Sequence, residues 1–263
     1  MYPNPLKQKL QNGNLVLGTS LPAFRPQVAG MICDADIDFV WICTEHSPYS
    51  FETLDVIPTL IRQRGIAPMI RVANNDAGLI KKAYDVGAVA VMVPQVDTPE
   101  EAAAAVEHAH YPPEGKRGIT PNWPWVAGVD WNHVIRTANE ETVLILQLES
   151  REAYDNLDAI VEVGGFDILL VGPMDLSASV GRITETGCDE VQRIMEEVPR
   201  RIAGSGVVAG TTLLGVAEIQ EKYRWGYRFL NVGNPMAYGM QVLKENLATL
   251  RSNPAGQGGK QGK

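Results

Sequence analysis

Four apolar runs in this chain lead into residues that can bind a metal, an anion or a proton. Phe39-Val40-Trp41-Ile42-Cys43 runs into Thr44-Glu45-His46 and breaks at Pro48. The run at 67–72 carries Arg71, and the run at 142–149 closes on Gln147-Leu148-Glu149. The run at 167–172 leads into Gly172-Pro173-Met174-Asp175. Glu149 and Asp175 offer hard oxygen ligands, which suit Mg²⁺ or Mn²⁺ better than zinc. Arg71 has the guanidinium that clamps carboxylates and stabilises oxyanions. Histidines titrate near neutral pH, so His46 suits proton transfer. At Gly172 backbone amides can approach an anion, and a helix starting there would add its positive end. Each residue also has a purely structural explanation. Asp175 reads as a helix N-cap, and a strand-end arginine usually pairs with a carboxylate. The set becomes a site only if one architecture gathers all four places on one face.

The elements supply that architecture. Eight β-rich runs occupy 15–21, 38–44, 67–72, 88–96, 142–149, 167–172, 207–213 and 227–233. Several are continuously apolar, as strands of a parallel sheet buried on both faces are. Helix-period segments alternate with them at 51–65, 76–87, 99–111, 150–164 and 189–206. Eight strands with helices between them predict an α/β (β/α)8 TIM barrel rather than an open doubly wound sheet. In such a barrel the active site forms at the C-terminal ends of the strands, where these four places lie. Residues 115–133 break the rhythm and are expected to be irregular; they hold three of the five tryptophans. No internal linker divides the chain, so 1–251 is read as one domain and 252–263 as a disordered tail.

The bulk properties exclude other classes. Of 263 residues, 45% are hydrophobic and 21% charged, with a net charge of −8. An acidic surface disfavours nucleic acid or anionic membrane as partner. No apolar run approaches the ~20 residues of a membrane span, and the first residues lack a signal region. Three cysteines without a CxxC indicate neither a disulfide framework nor a zinc ribbon, so a cytoplasmic location is expected. A Schiff-base mechanism needs a lysine at a strand end; Lys81, Lys82, Lys116 and Lys222 are not so placed.

The stretches FVWICTEHSPYS, APMIRV, LIKKAYDVGAVAVMVPQVDTPEEA, YPPEGKRG, LILQLESREAYDNLDAI and ILLVGPMDLSASVG resemble, in order, the HpcH/HpaI family of metal-dependent pyruvate aldolases. The resemblance implies a class II aldolase that cleaves or forms 4-hydroxy-2-oxo acids through a pyruvate enolate held on Mg²⁺, Mn²⁺ or Co²⁺. It assigns the metal to Glu149 and Asp175, and the pyruvyl oxygen to Arg71. His46 falls in the proton relay, and Gln147 lines the site. Gly172, Pro173 and Met174 hold the pyruvate carboxylate. Asp85 reaches a neighbouring subunit's site. It implies a hexamer, a trimer of dimers with exchanged C-terminal helices; the partners are a 2-oxo acid (pyruvate or oxaloacetate) and an aldehyde acceptor.

Two departures stand out. Where the family has an aspartate three residues before the histidine, this chain has Cys43. The cysteine is either an apolar wall residue or a thiolate supported by Arg71. Glu45 is no ready substitute on an extended strand, where neighbours point to opposite faces. The second departure is the aromatic stretch GITPNWPWVAG, closer to macrophomate synthase. Trp123 and Trp125 there either shape an acceptor pocket or pack at a subunit interface. Alternative readings are therefore an oxaloacetate-decarboxylating or citrate-synthase-like enzyme, or a weakened homologue that binds 2-oxo acid and metal.

Overall fold

Alternation within short apolar runs decides which side chains enter the centre of this protein. Successive strand residues face opposite ways. In β2 (Phe39–Cys43) the residues Phe39, Trp41 and Cys43 belong to an inner cluster, whereas Val40 and Ile42 belong to an outer one. In β3 (Ala67–Arg71) Ala67 and Met69 point in and Ile70 points out, so Arg71 falls on the inner face.

The computed structural model describes residues 4–48, 50–212 and 215–253. Its strands close into a barrel in sequence order, every neighbouring pair parallel. The others are β1 (Val16–Ser20), β4 (Ala90–Val93), β5 (Val143–Leu148), β6 (Ile168–Val171), β7 (Val208–Thr212) and β8 (Phe229–Asn231). β8 closes on β1 with Val16 opposite Phe229. The α/β TIM barrel expected from the sequence is the observed fold. Met69, Met92, Ile145, Ile168, Leu170 and the stacked rings of Phe39 and Phe229 fill the interior. Leu6 and Leu10 of the helix Pro5–Gln11 join this inner cluster. The outer cluster lies between the sheet and its surrounding helices.

Local signals explain where helices start. Asp76 accepts a hydrogen bond from the Leu79 amide, and Thr98 forms a reciprocal capping box with Glu101. Three expectations need correction. The segment 150–164 is two helices, Arg151–Asp155 and Leu157–Val163, meeting at Asn156. Residues 115–133 are not irregular throughout. They contain the helix Trp123–Ala127 and the start of the helix Trp131–Glu141, where Asp130 accepts from the Asn132 amide. The C-terminal helix Pro235–Ser252 runs into what was read as tail, and 254–263 lie outside the described residues. That helix buries none of its residues and exposes Met236, Met240, Val242, Leu243, Leu247 and Leu250. Among the described residues no helix is long and apolar enough to cross a membrane.

Gly18 of β1 marks the tightest point of the interior. A Cβ there would lie 2.4 Å from the Phe39 ring, and that ring cannot retreat because it stacks on Phe229 at 4.1 Å. Gly18→Ala is expected to destabilise the protein by about 1–3 kcal/mol, the usual range for an overpacked core. Urea unfolding checks this; an unchanged midpoint would show that the Phe39–Phe229 stack is loose.

Candidate active site

The inner face ends upward in polar residues. Cys43 and Arg71 are register partners on adjacent strands. Gln147 follows the inward Val143 and Ile145 of β5, and Glu149 continues that alternation. Gly172 follows the inward Ile168 and Leu170 of β6, and Asp175 lies in the first turn of the helix Pro173–Ser179. Arg71 is the hub. Its Nη1 pairs with Glu45 Oε2 at 2.9 Å. Its Nη2 donates to Cys43 Sγ at 3.1 Å, and Nη1 also reaches Gln147 Oε1 at 3.4 Å. Its guanidinium lies 5.2 Å from the Trp41 ring centre. The other end of Gln147 donates from Nε2 to Glu149 Oε2, and the Gln95 amide donates to Glu149 Oε1 at 2.9 Å.

Glu149 is 4% exposed. Burial, then the negative charge of Asp175, pushes its carboxyl up to about 7; the Gln95 amide opposes this, Glu45 reinforces it, and Arg71 opposes it least. Two carboxylates that repel one another fit a divalent cation, whose charge removes that cost. Among the described residues no three or more His, Cys, Asp or Glu are grouped to hold a metal. Both are hard oxygen donors of the kind divalent cations take. Gly172 lets the backbone pass close against them. A Cβ there would lie 2.8 Å from Gln147 Nε2 and 2.9 Å from Glu149 Oε2.

The cleft beside these residues holds about 600 Å³, within the usual range of small-molecule sites. Cys43, His46, Arg71, Gln147, Gly172, Pro173, Met174 and Asp175 line it. A family profile described as HpcH/HpaI aldolase/citrate lyase matches residues 17–237. The chain belongs to the HpcH/HpaI aldolase/citrate lyase family. It is an enzyme of the carbon–carbon lyase class. A 2-keto-3-deoxy-L-rhamnonate aldolase of Klebsiella pneumoniae subsp. pneumoniae is 35% identical over 258 residues, 97% of this chain and 96% of that protein. A solved HpcH/HpaI aldolase/citrate lyase family protein of Burkholderia cenocepacia superposes with a TM-score of 0.88 at 28% identity, covering 94% of this chain and 99% of that one. The solved citrate synthase SbnG superposes with a TM-score of 0.84 at 27% identity, covering 94% and 97%.

Relative to the sequence reading of this family member, Glu45 and His46 need correction. β2 stops at Cys43 and residues 44–47 bend, so strand alternation no longer separates the two side chains. His46 Nε2 lies 3.7 Å from Glu45 Oε2, and the His46 amide donates to Cys43 Sγ at 3.4 Å. Asp85 is not gathered with the others. It ends the helix Ala77–Asp85, just ahead of β4, at the barrel end opposite the cleft. There burial raises its carboxyl to about 6 against the pull of Arg117 and Lys81. Trp123 and Trp125 do not line the cleft. Trp123 is buried beneath the Arg62 guanidinium, 3.9 Å from its ring centre. Trp125 is exposed and stacks on Trp131 at 6.1 Å.

The sequence reading missed Ser20, Trp41, Thr212 and Asn231, which end or approach the ends of β1, β2, β7 and β8 and line the same cleft. A polar residue closing an apolar run was the available signal for Ser20, Thr212 and Asn231. Lys222 and Gln192 line it too, from helices, where no such signal exists.

Glu45→Gln leaves the Arg71 cation with neutral acceptors only. It is expected to lower stability by about 1–3 kcal/mol, between the costs for exposed and fully buried pairs. A chemical-denaturation series reads this, and a loss under about 0.5 kcal/mol would show that Arg71 does not depend on the pair.

Proposed function

We propose that this protein is a divalent-metal-dependent pyruvate aldolase that cleaves or forms 4-hydroxy-2-oxo acids. The observation that carries the reading is that Arg71 and Asp175 line one cleft with Glu149 buried behind its lining residue Gln147, in a chain of this family. Glu149 and Asp175 would hold Mg²⁺, Mn²⁺ or Co²⁺. Bound there, the ion supplies Lewis acidity toward the keto oxygen of the 2-oxo acid. The backbone of Gly172, Pro173 and Met174, which lines the cleft, receives the substrate carboxylate. Arg71 places fixed positive charge where the oxygen becomes negative during C–C cleavage. His46, 66% exposed at the cleft mouth, takes the proton of the 4-hydroxyl in cleavage and returns it in condensation. Glu45 pairs with Arg71 and lies 3.7 Å from the His46 ring, close enough to take over the orienting work of the family aspartate once substrate is bound. Cys43 Sγ accepts from Arg71 Nη2.

The likeness to 2-keto-3-deoxy-L-rhamnonate aldolase supports a deoxy-sugar-derived 2-oxo acid as substrate, with pyruvate as the shared fragment. The likeness to a citrate synthase favours a second reading, in which oxaloacetate supplies the nucleophile. The bare apolar helix Pro235–Ser252 supports helix exchange in a dimer, and the remote Asp85 supports a role in a neighbouring subunit's site within a hexamer.

Purified protein with Mg²⁺, Mn²⁺ or Co²⁺, pyruvate and an aldehyde panel tests the reading. EDTA is expected to abolish turnover, and Arg71→Met to lower kcat by roughly 100–1000-fold. Turnover that survives EDTA, or no turnover with any metal, would overturn it. The roles of Glu45 and Cys43 separate in a second experiment. Glu45→Gln is expected to lower kcat by about 10–100-fold, the usual effect of losing an orienting partner. Cys43→Asp is expected to gain nothing, because the new carboxylate competes with Glu45 for Arg71. A large gain with Cys43→Asp would instead mark the natural protein as a weakened homologue.

A further inference from the structure

One residue beside the carboxylates holds a backbone conformation that its own side chain disfavours. Gln95 follows β4 in the stretch Val93-Pro94-Gln95-Val96 and has a φ of 53°. Left-handed backbone is uncommon outside glycine, and glutamine lacks the short polar side chain that lets Asn or Asp adopt it. Residues held this way cluster at functional sites, where the surroundings fix them. The Gln95 side chain is exposed and gives no reason for the conformation. The backbone amides give one. In an extended strand neighbouring amides point to opposite edges, whereas a left-handed residue turns them to one side. The Gln95 amide donates to Glu149 Oε1 at 2.9 Å, and the next amide, that of Val96, donates to the Gln147 carbonyl at 3.3 Å. Both therefore reach the end of β5.

The loop is tied to the same neighbour further along. The Asp97 carbonyl accepts from Asn156 Nδ2 at 2.8 Å, and Asp97 Oδ1 accepts from Ser150 Oγ. Toward its own helix, the Asp97 and Thr98 amides donate to Glu101 Oε2 at 2.8 and 3.1 Å. Among these contacts only the Gln95 amide meets a carboxylate of the candidate metal pair. Gln147 holds Glu149 Oε2 and Gln95 holds Oε1, so the plane of this carboxylate is set at both oxygens. Each carboxylate oxygen can accept twice, which leaves each a lone pair for a cation.

We propose that Gln95 is a positioning residue: its left-handed backbone aims the amide that fixes Glu149 in the orientation the cation needs. This rests on the metal-dependent reading and names what keeps that ligand in place. The conformation at position 95 does this, and the glutamine side chain does not.

Mn²⁺ affinity with pyruvate present, read beside the urea midpoint, tests the proposal. Gln95→Gly adopts the left-handed conformation without strain and is expected to hold the Mn²⁺ Kd within about threefold of the natural protein. Gln95→Val disfavours that conformation and is expected to weaken Mn²⁺ binding by roughly 10–100-fold, the usual cost of losing a hydrogen-bond partner of a metal ligand. Asp97→Ala loosens the loop without touching Glu149 and carries the test should Gln95→Val fail to fold; a weakening of about 3–10-fold is expected. A lower urea midpoint in Gln95→Val with an unchanged Mn²⁺ Kd would make the conformation a matter of folding alone and overturn the proposal. Equal weakening in the Gly and Val variants would assign the effect to the side chain and overturn it as well. Glu149→Gln separates a failure of the underlying reading. If the natural protein binds no Mn²⁺, or Glu149→Gln binds it equally well, the metal-dependent reading fails. If Glu149→Gln loses Mn²⁺ and no variant at 95 or 97 moves the Kd, only the positioning role fails.

Discussion

A buried guanidinium beside a buried carboxylate normally cancels its charge. Here Arg71 and Glu149 are both tied to Gln147, and cancellation is avoided. Glu45 takes the charge of Arg71 at 2.9 Å. Gln147 stands between the two, its oxygen toward Arg71 and its amide nitrogen toward Glu149. An amide can satisfy a donor on one side and an acceptor on the other without carrying net charge. Arg71 is consequently the weakest of the influences on Glu149, which stays near 7 instead of being depressed. The Glu149–Asp175 pair is left with negative charge that the protein itself does not neutralise. On the proposed reading that surplus recruits a cation from solution, while Arg71 stays available to the substrate.

The same constraint accounts for Cys43. Arg71 already has Glu45, so a second carboxylate at position 43 would compete for the same guanidinium. The sulfur at position 43 accepts from Nη2 instead. Its short side chain also fits the top of the interior beside Trp41. The cysteine is intelligible as part of the arginine's surroundings. Whether the histidine needs an acid three residues earlier is a separate matter, because the bend after β2 brings Glu45 within 3.7 Å of the ring.

The sequence made the barrel legible because strand patterning is a local property. Arg71, Gln147 and Glu149 could be placed for the same reason, each continuing the alternation of its own strand. Reasoning failed where that period ended. Applied one residue past β2, it separated Glu45 from His46, but the chain had already turned. Tryptophan content suggested an aromatic pocket at 115–133, yet composition does not say which face a side chain takes. Trp123 covers Arg62 between helices, and the tryptophan in the cleft is Trp41, which read as ordinary core. Lys222 was set aside because it does not end a strand. A helical lysine reaches the rim through the tilt and length of its side chain, and no strand pattern contains that information.

The two halves of the cleft are therefore built from different material. Arg71, Gln147, Glu149 and Gly172 stand on or directly after strands whose positions are fixed by ladder pairing on both sides. Thr186, Gln192, Glu218 and Lys222 come from a loop and from helices packed outside the sheet. Chemistry that tolerates little displacement belongs on the first kind of support, and recognition that must vary belongs on the second. On the proposed reading the 2-oxo acid meets strand ends, and helices border the rest of the cleft. Substitution in the outer helices can then reshape the far side of the cleft without moving Arg71, Gln147 or Glu149.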